Sequence, residues 1–295
     1  MTTSADDTAI RTAALENGRR LVIRVGTLDD VEGLDALYHR LSIEDLQRRF
    51  FSGAFPPRAA VEAWADVADR KDGLLLVVDD VAADGTSTIV AEAGFAPMSD
   101  GDAELGITVD RASRGWLGPW LLDALLEQAA ARGIPNLQAL TATRNRQMRL
   151  MLCGRGAAGL PDDDWTSVRL TVSTTGSVPT WHATSPGRKR LLVETGSYQW
   201  TGTAEANRRG FDVMVCAGPS ASRHDCPVVE GGHCPLVDGA DGVLFALRED
   251  DEVLSAHHER TSGPPTFTRL EGETIAETLG RVQAGLDGDE EPPCG

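Results

Sequence analysis

A glycine-bearing turn between a strand and a helix is the part of this sequence whose residue types most directly suggest a chemistry. Residues 104–109 are predicted to form the strand, residues 110–118 the turn, and residues 117–132 the helix. Such a turn presents free backbone N–H groups at the positive end of the helix dipole, and glycine lets an anion approach the backbone closely. The sequence therefore predicts a pyrophosphate-binding loop around Gly115 and Gly118.

The sequence of this loop and of its surroundings matches a known pattern. Residues 114–122 read RGWLGPWLL and residues 127–134 read EQAAARGI. This stretch resembles the coenzyme A signature of the GNAT superfamily of N-acetyltransferases. Residues 41–51, residues 103–105 and the helix with Asn145, Met148 and Leu152 are similar to the bacterial protein-lysine acetyltransferase branch. The N-terminal half is therefore identified by resemblance as a GNAT-like domain over residues 20–175.

The resemblance implies an α+β fold with a central mixed sheet, acetyl-CoA or another acyl-CoA as cosubstrate, and an amine as acyl acceptor. The amine is a protein lysine or a small molecule. The implied cofactor contacts are Val109, Arg114, Gly115, Trp116, Leu117, Gly118 and Asn145.

The loop departs from the family pattern at one point. Counted back from Leu121 and Leu122, it lacks one residue, a glycine, between Trp116 and Leu117. A shorter loop offers one N–H fewer to an anion, and Pro119 removes another donor. Two interpretations stay open: a loop that binds coenzyme A, and a loop that only connects strand to helix.

Acyl transfer to an amine requires a base that removes a proton from the amine and an acid that protonates the leaving thiolate. By its likeness to the glutamate of the lysine-acetylating branch, Glu104 is the candidate base, and its alternative is a solvent-facing strand carboxylate. Asn145 has the alternative of a helix N-cap. Tyr38 and Cys153 are conceivable acids, but both are in phase with apolar neighbours, which favours core positions.

Three of the five cysteines fall in one stretch of the second half. Cys226 and Cys234 open a tandem eight-residue repeat, CPVVEGGH and CPLVDGAD, and Cys216 lies shortly before it. Thiolates with imidazoles hold zinc, and oxidation can join neighbouring thiols, but the spacing matches no zinc or iron–sulfur pattern. A surface loop with packed cysteines, a redox-active loop and a metal site all stay open. No metal is assigned, and Cys216, Cys226 and Cys234 are the candidates if one binds.

The composition limits the classes of partner. The chain has 45 acidic and 28 basic residues and a formal net charge of -17, which disfavours nucleic acid and anionic membranes as partners. No apolar run is long enough for a membrane helix, and residues 1–20 lack the pattern of a secretory signal. We expect a cytoplasmic α/β protein without a disulfide framework. A homo-oligomer stays open.

The length predicts two domains joined by a linker rich in Thr, Ser, Pro and Gly. The expected parts are a lead-in at residues 1–19 with a short helix at residues 9–18, the GNAT-like domain at residues 20–175, a linker at residues 176–188, a smaller domain at residues 189–286 and a disordered tail at residues 287–295. In the second domain, strands and helices alternate, which predicts a parallel sheet.

This second domain resembles a receiver-like or flavodoxin-like module and uncharacterised domains of actinobacterial proteins. A receiver carries acidic residues after its first and third strands, where this chain has Glu194-Thr195-Gly196 and Leu247-Arg248. Aspartyl phosphorylation is therefore not expected. The sequence as a whole favours an acyl-CoA-dependent N-acyltransferase with an appended sensory or regulatory domain. The alternative is a catalytically degenerate GNAT-like regulatory protein whose cysteine loop responds to redox state or metal.

Overall fold

A computed structural model describes residues 9–68, 72–160, 166–176, 178–181, 186–195, 200–216, 218, 226–246, 257, 261 and 263–288. The chain divides into two compact units, Met1–Ala139 and Leu140–Gly295. Both units combine helices with β-strands, so the predicted α/β class is confirmed. The domain limits at residues 175 and 188 stay predictions.

Five consecutive strands of the first unit pair antiparallel in chain order. They are β1 (Ala9–Ala14), β2 (Arg20–Val25), β3 (Leu74–Val81), β4 (Ser87–Pro97) and β5 (Ala103–Val109). The helix predicted over residues 9–18 is wrong, because its first six residues are strand β1 and only Glu16–Gly18 form a 3-10 turn. Its alanine-rich composition favours a helix, but pairing with β2 overrides that propensity.

The structure describes four helices in the first unit, and the last of them matches the helix predicted over residues 117–132. They are α1 (Val31–His39), α2 (Ile43–Phe50), α3 (Arg58–Ala65) and α4 (Leu117–Ala131). Helix α2 begins with a capping box formed by Ser42 and Asp45, in which each side chain accepts a hydrogen bond from the backbone N–H of the other residue. The apolar faces of α1 to α3 pack on β3 and β4 through a buried cluster that includes Leu34, Leu37, Leu46, Val61 and Leu75.

Strand β6 (Asn136–Ala142) begins beside β5 but follows it only briefly. The two strands pair in parallel at Ala103 with Leu137 and at Glu104 with Gln138. The buried carboxylate of Asp102 fixes this start, because it accepts hydrogen bonds from Asn136 Nδ2 at 2.9 Å and Gln138 Nε2 at 2.7 Å. Beyond Glu104, β5 stays paired with β4 on one side but is no longer paired with β6 on the other. The backbone groups on that second edge of β5 are therefore not used in pairing with β6.

The second unit contains the predicted parallel sheet. Strands β9 (Lys189–Glu194), β10 (Phe211–Cys216), β11 (Gly242–Phe245) and β12 (Thr266–Thr268) lie parallel in the order β10-β9-β11-β12. The short strand β7 (Ala158–Leu160) is antiparallel to β10 and to β8 (Ser167–Ser173).

Apolar side chains cover both faces of this sheet. Leu192 and Met214 pack in one buried cluster, and Leu191 and Val213 pack in another. Continuous apolar runs are typical of parallel strands that are buried on both sides. The helices in the described part of this unit are α5 (Arg146–Cys153), α6 (Thr203–Arg208), α7 (Pro235–Asp238) and α8 (Ile275–Asp287).

Several predicted features fall outside the described residues. These are the motif positions Gly196, Leu247 and Arg248, and most of residues 251–260, of which only His257 is described. The tail prediction is likewise outside, apart from Asp287 and Gly288. No helix in the described ranges combines the length and the apolar character that crossing a membrane requires.

Candidate active site

A cavity of about 270 Å³ opens in the first unit between its helices and strand β5. One wall comes from the ends of α1 and α2 and from α3, and the other comes from β4 and β5. Its lining combines aromatic rings with two charged side chains, and consists of Tyr38, Arg49, Phe50, Pro56, Ala60, Val61, Trp64, Ala96, Glu104, Leu105 and Gly106. An apolar pocket with a few polar groups is the usual form of a small-molecule site.

A buried carboxylate that the sequence analysis missed lies behind this lining. Glu92 is completely buried in the middle of β4. Its Oε2 accepts a hydrogen bond from Trp64 Nε1 at 2.9 Å, and its Oε1 accepts one from Thr108 Oγ1 at 2.6 Å and another from Arg49 Nε at 3.4 Å. A single glutamate within a continuous apolar strand was the available signal, because a carboxylate is buried only where it is paired.

Glu92 also holds the phenol of Tyr38. The ring is 2% exposed and packs edge-on against Phe50, with 5.3 Å between ring centroids. Burial and the neighbouring Glu92 carboxylate raise the pKa of Tyr38 well above its ordinary value, so the phenol stays protonated at neutral pH. The residue is therefore a core side chain, as its spacing indicated, and its polar end faces the carboxylate that orders the cavity wall.

Arg49 crosses from α2 to β5 and reaches the cavity. Its Nε lies 3.2 Å from Thr108 Oγ1, and its guanidinium lies over the rings of Phe50 and Trp64. A Cβ on Gly106 would lie only 2.4 Å from an Arg49 nitrogen, so a side chain there would displace the guanidinium from the face of the strand. The cavity thus contains a positive group held in a fixed position.

Glu104, the predicted general base, lines the same cavity at its solvent-exposed side. It lies on β5 at the last position that pairs with β6, just before the strand edge opens. The structure places it between the cavity and that open edge. Its proton-transfer role stays a prediction.

The predicted phosphate loop follows the carboxyl end of β5. A 3-10 turn at Arg111–Ser113 is capped by Asp110, whose side chain accepts from the Ala112 N–H at 3.2 Å. Gly115 then adopts a φ of 116°, a conformation that side chains with a Cβ rarely adopt, and helix α4 begins at Leu117. The first N–H groups of a helix have no acceptor within it, so this end of α4 has the donors that an anion site requires.

Arg114, one of the predicted cofactor contacts in the loop, is already engaged by another side chain of the protein. The guanidinium of Arg114 forms an ion pair with Asp45, with 2.7 Å between Nη2 and Oδ1, and its Nε approaches the carbonyl oxygen of Val109. Burial raises the pKa of Asp45, but the hydrogen bonds from Arg114 and Ser42 outweigh burial and lower it below its usual range. Arg114 therefore connects the loop to the start of α2.

Two tryptophans flank the start of α4. The Trp116 side chain is 51% exposed, and its ring lies 5.5 Å from that of Trp120. Leu117, by contrast, is buried in the core of the unit. The loop therefore offers a large exposed aromatic surface beside the free amides of α4, and only the backbone of Leu117 is available to a ligand.

The other predicted site residues lie in the second unit. Asn145 caps α5, because its Oδ1 accepts from the Met148 N–H at 3.3 Å, and a contact with the cofactor stays a prediction. Cys153 is buried, as its spacing indicated. Cys234 belongs to a buried apolar cluster, and Cys216 and Cys226 pack against it. Among the described residues, no group of three or more His, Cys, Asp or Glu side chains is arranged to hold a metal ion.

No protein-family model matches the chain, and no curated protein matches it. Among solved structures, the N-terminal half is similar to GNAT acetyltransferases. The GNAT domain of PAT from S. lividans is 22% identical, over 55% of this chain and 96% of that one, with a TM-score of 0.48. YncA of Salmonella typhimurium, a putative acetyltransferase solved with acetyl-CoA, is 16% identical over 54% of this chain and 97% of that one, with a TM-score of 0.43.

A third similar structure is a longer protein. The cAMP-binding acyltransferase from Mycobacterium smegmatis is 26% identical over 58% of this chain, with a TM-score of 0.39. The match spans about half of that protein, 48% of its length.

Proposed function

We propose that the N-terminal unit transfers an acyl group from a coenzyme A thioester to an amine. One observation carries the proposal. Strand β5 has Glu104 at a cavity of amine-acceptor size and, at its carboxyl end, continues into a glycine-bearing loop at the start of α4. Between these two points lies the strand edge that β6 leaves open.

Each part of this strand suits one part of the cosubstrate. The pyrophosphate fits the free amides at the start of α4, where the helix dipole favours negative charge. From Glu104 to Val109 the strand spans roughly 17 Å at about 3.4 Å per residue. Along that length, alternate N–H and C=O groups of β5 face away from β4 and are available to the amides of an extended pantetheine arm.

The chemistry at Glu104 follows from the requirements of the reaction. The neutral amine attacks the thioester carbonyl carbon, the C–N bond forms, and the C–S bond breaks to release the coenzyme A thiolate. Glu104 accepts the amine proton, directly or through one water molecule, because its exposed carboxylate lies at the cavity mouth. The thiolate takes a proton from solvent.

Glu92 and Arg49 position the acceptor in this scheme and do not react. Their network fixes Trp64 and Tyr38 on the cavity wall, so the acceptor meets rigid apolar faces. The cavity size suits one amine-bearing chain, either a lysine side chain of a protein or a small molecule. The acidity of the whole chain, with a net charge of -17, favours a cationic acceptor through electrostatic steering.

The C-terminal unit is proposed to act as a sensory or interaction module. Its parallel sheet carries titratable side chains at the carboxyl ends of its strands, which is where open α/β sheets bind ligands.

Release of the coenzyme A thiol tests the proposal directly. The full chain is incubated with acetyl-CoA and a panel of amines, which includes lysine peptides and small polyamines, and the thiol is measured with a chromogenic disulfide. Acceptor-dependent release that Glu104→Gln reduces strongly supports transfer at this cavity. Release that does not depend on any amine, or that Glu104→Gln leaves unchanged, contradicts it.

A second candidate function is a non-catalytic GNAT-like regulatory protein. The engagement of Arg114 with Asp45 favours it, because that guanidinium is already paired near the shortened loop. The two candidates differ in a binding measurement. An enzyme binds acetyl-CoA with the usual micromolar to millimolar affinity, whereas a degenerate loop does not bind it.

A further inference from the structure

The second unit brings several cysteine thiols, an imidazole and a carboxylate together at the carboxyl edge of its parallel sheet. Glu194 is the last residue of β9, and Cys216, the last residue of β10, lies directly opposite it in the parallel register. His257 lies above Glu194, with 3.0 Å between its Nδ1 and Glu194 Oε2. This edge is where parallel sheets bind ligands, and none of these groups takes part in the acyl transfer proposed above.

His257 and Glu194 are both buried. His257 is 6% exposed and Glu194 is 2% exposed, and the ring of Phe245 stands edge-on to the imidazole, with 6.4 Å between centroids. Burial lowers the pKa of His257, but hydrogen bonds with Cys226 and Glu194 outweigh burial and raise it to about 9. The imidazole is therefore protonated at neutral pH, and it faces Glu194 and Cys226.

Besides the hydrogen bond with His257, the tandem repeat gives the sulfur of Cys226 hydrogen-bond donors from the backbone. In each copy, the cysteine carbonyl accepts a hydrogen bond from the N–H four residues on, which is Glu230 for Cys226 and Asp238 for Cys234. Each copy thereby forms a tight turn whose backbone N–H groups point at the sulfur of its cysteine. These N–H groups belong to Val228 and Val229 in the first copy and to Leu236 and Val237 in the second.

The cysteines of this cluster differ in protonation. Burial raises the pKa of Cys226, but the hydrogen bonds with His257, Val229 and Val228 outweigh it and lower the pKa below its ordinary value. For Cys234 and Cys216, burial dominates and raises the pKa. Glu194, Asp238, Cys216 and Cys234 are the other titratable groups that act within this cluster. Cys226 is thus the most acidic thiol of the three, and it is half-buried, so small molecules can reach it.

We propose that Cys226, His257 and Glu194 form a second reactive site, at which the Cys226 thiolate is oxidised by small peroxides. The sulfur attacks one peroxide oxygen, the S–O bond forms and the O–O bond breaks. The sulfur loses two electrons and becomes a sulfenic acid. The leaving hydroxide or alkoxide takes a proton from His257, and Glu194 stabilises that imidazolium before the reaction.

Peroxides fit this site better than acyl compounds do. A tetrahedral acyl intermediate requires free N–H donors for its oxyanion, whereas the amides of Val228 and Val229 already point at the sulfur. Attack on a peroxide requires only a thiolate and a proton donor for the leaving oxygen. Both are present in Cys226 and His257.

Trapping of the sulfenic acid tests the site. The full chain is treated with hydrogen peroxide in the presence of dimedone, and the adducts are located by peptide mass spectrometry. The adduct is expected on Cys226, at a rate at least about tenfold above that of the other cysteines of the chain, since thiolate character controls oxidation. An even distribution over the cysteines, or no adduct on Cys226, overturns the proposal.

The pH profile of alkylation tests the role of His257. The rate of iodoacetamide labelling of Cys226 is expected to have its midpoint below the pKa of a free cysteine, about 8.5. His257→Gln should raise that midpoint and reduce the rate at pH 6 about tenfold, as expected for one unit of thiol pKa. Cys216→Ser is the control and should leave the midpoint in place.

Circular dichroism of each variant shows whether the fold persists. If His257→Gln does not fold, the wild-type midpoint alone decides, because a value at or above that of free cysteine overturns the proposal. If His257→Gln folds, a labelling midpoint equal to that of the wild type also overturns the proposal.

Discussion

The indole N–H of Trp64 donates a hydrogen bond to the carboxylate of Glu92 over 2.9 Å. The bond joins helix α3 to the centre of β4, and one of its partners is completely buried. The aromatic wall of the cavity is therefore fixed by a polar contact, in addition to the apolar packing behind it.

Replacement of Glu92 by glutamine should destabilise the protein strongly. The amide keeps the volume of the side chain but removes the charge that faces Arg49, and breaking a largely buried pair costs about 3 kcal/mol. Urea unfolding measures the change in the free energy of unfolding. Glu62→Gln, which changes an exposed carboxylate on α3, is the control and should be neutral. Equal stability of the two variants would show that the network contributes little.

Glu104→Gln should slow acyl transfer about 100-fold or more, which is the usual contribution of a general base. The KM for acetyl-CoA should stay within about twofold, because the loop that binds the cofactor is unchanged. Steady-state thiol release at saturating amine provides both numbers. Glu127→Gln, an exposed carboxylate on α4, is the control. A rate that rises with pH identically in the wild type and in Glu104→Gln would remove Glu104 as the base.

Asp30 should make the free energy of unfolding of the first unit depend on pH in the acid range. Burial raises its pKa, but hydrogen bonds from Arg24 and Thr27 outweigh burial and lower it. A carboxylate with a lowered pKa in the folded state stabilises the fold above its unfolded pKa, about 3.9, and that stability is lost as pH falls through the folded value.

Asp30→Asn should therefore reduce the free energy of unfolding at pH 7 by about 1.5 to 3 kcal/mol, the range for hydrogen bonds to charged groups. It should also flatten the decline of stability at acid pH. Thermal unfolding from pH 7 to pH 2 measures both effects, with the exposed neighbour Asp29→Asn as control. An Asp30→Asn curve parallel to that of the wild type would contradict this assignment.

Local sequence signals were sufficient for most of the first unit. The spacing of Ser42 and Asp45 specifies the start of α2, because a capping box is a contact within four residues. The glycines predicted the loop, and the helical spacing of the apolar residues after them predicted α4, because both signals lie within a few neighbouring residues. Strand β1 was missed because only its partner strand β2 determines its conformation.

The parts of the sites that depend on distant residues were not predicted. Glu92 is separated from Arg49 by 43 positions and from Trp64 by 28, so their spacing along the chain has no periodicity that could reveal the network. In the second unit the sequence singled out Cys226 and Cys234 but gave no reason to distinguish them. The difference comes from His257, which only the fold brings to Cys226.

Insertion of a glycine between Trp116 and Leu117 should strengthen acetyl-CoA binding about tenfold. The insertion restores one N–H donor to the start of α4, and a hydrogen bond to a charged group contributes about 1.5 to 3 kcal/mol. Competition with a fluorescent coenzyme A derivative measures the change. A glycine inserted after Gly101, in the turn between β4 and β5, is the control and should have no effect. Weaker binding after the first insertion would show that the short loop is already the functional form.

The binding of acetyl-CoA itself tests the central claim most directly. Isothermal titration of the full chain with acetyl-CoA is expected to give one site with a dissociation constant in the micromolar range. Gly115→Ala should weaken it by about fivefold or more, because a φ of 116° costs a residue with a Cβ about 1–3 kcal/mol. No heat of binding at millimolar acetyl-CoA would contradict the account.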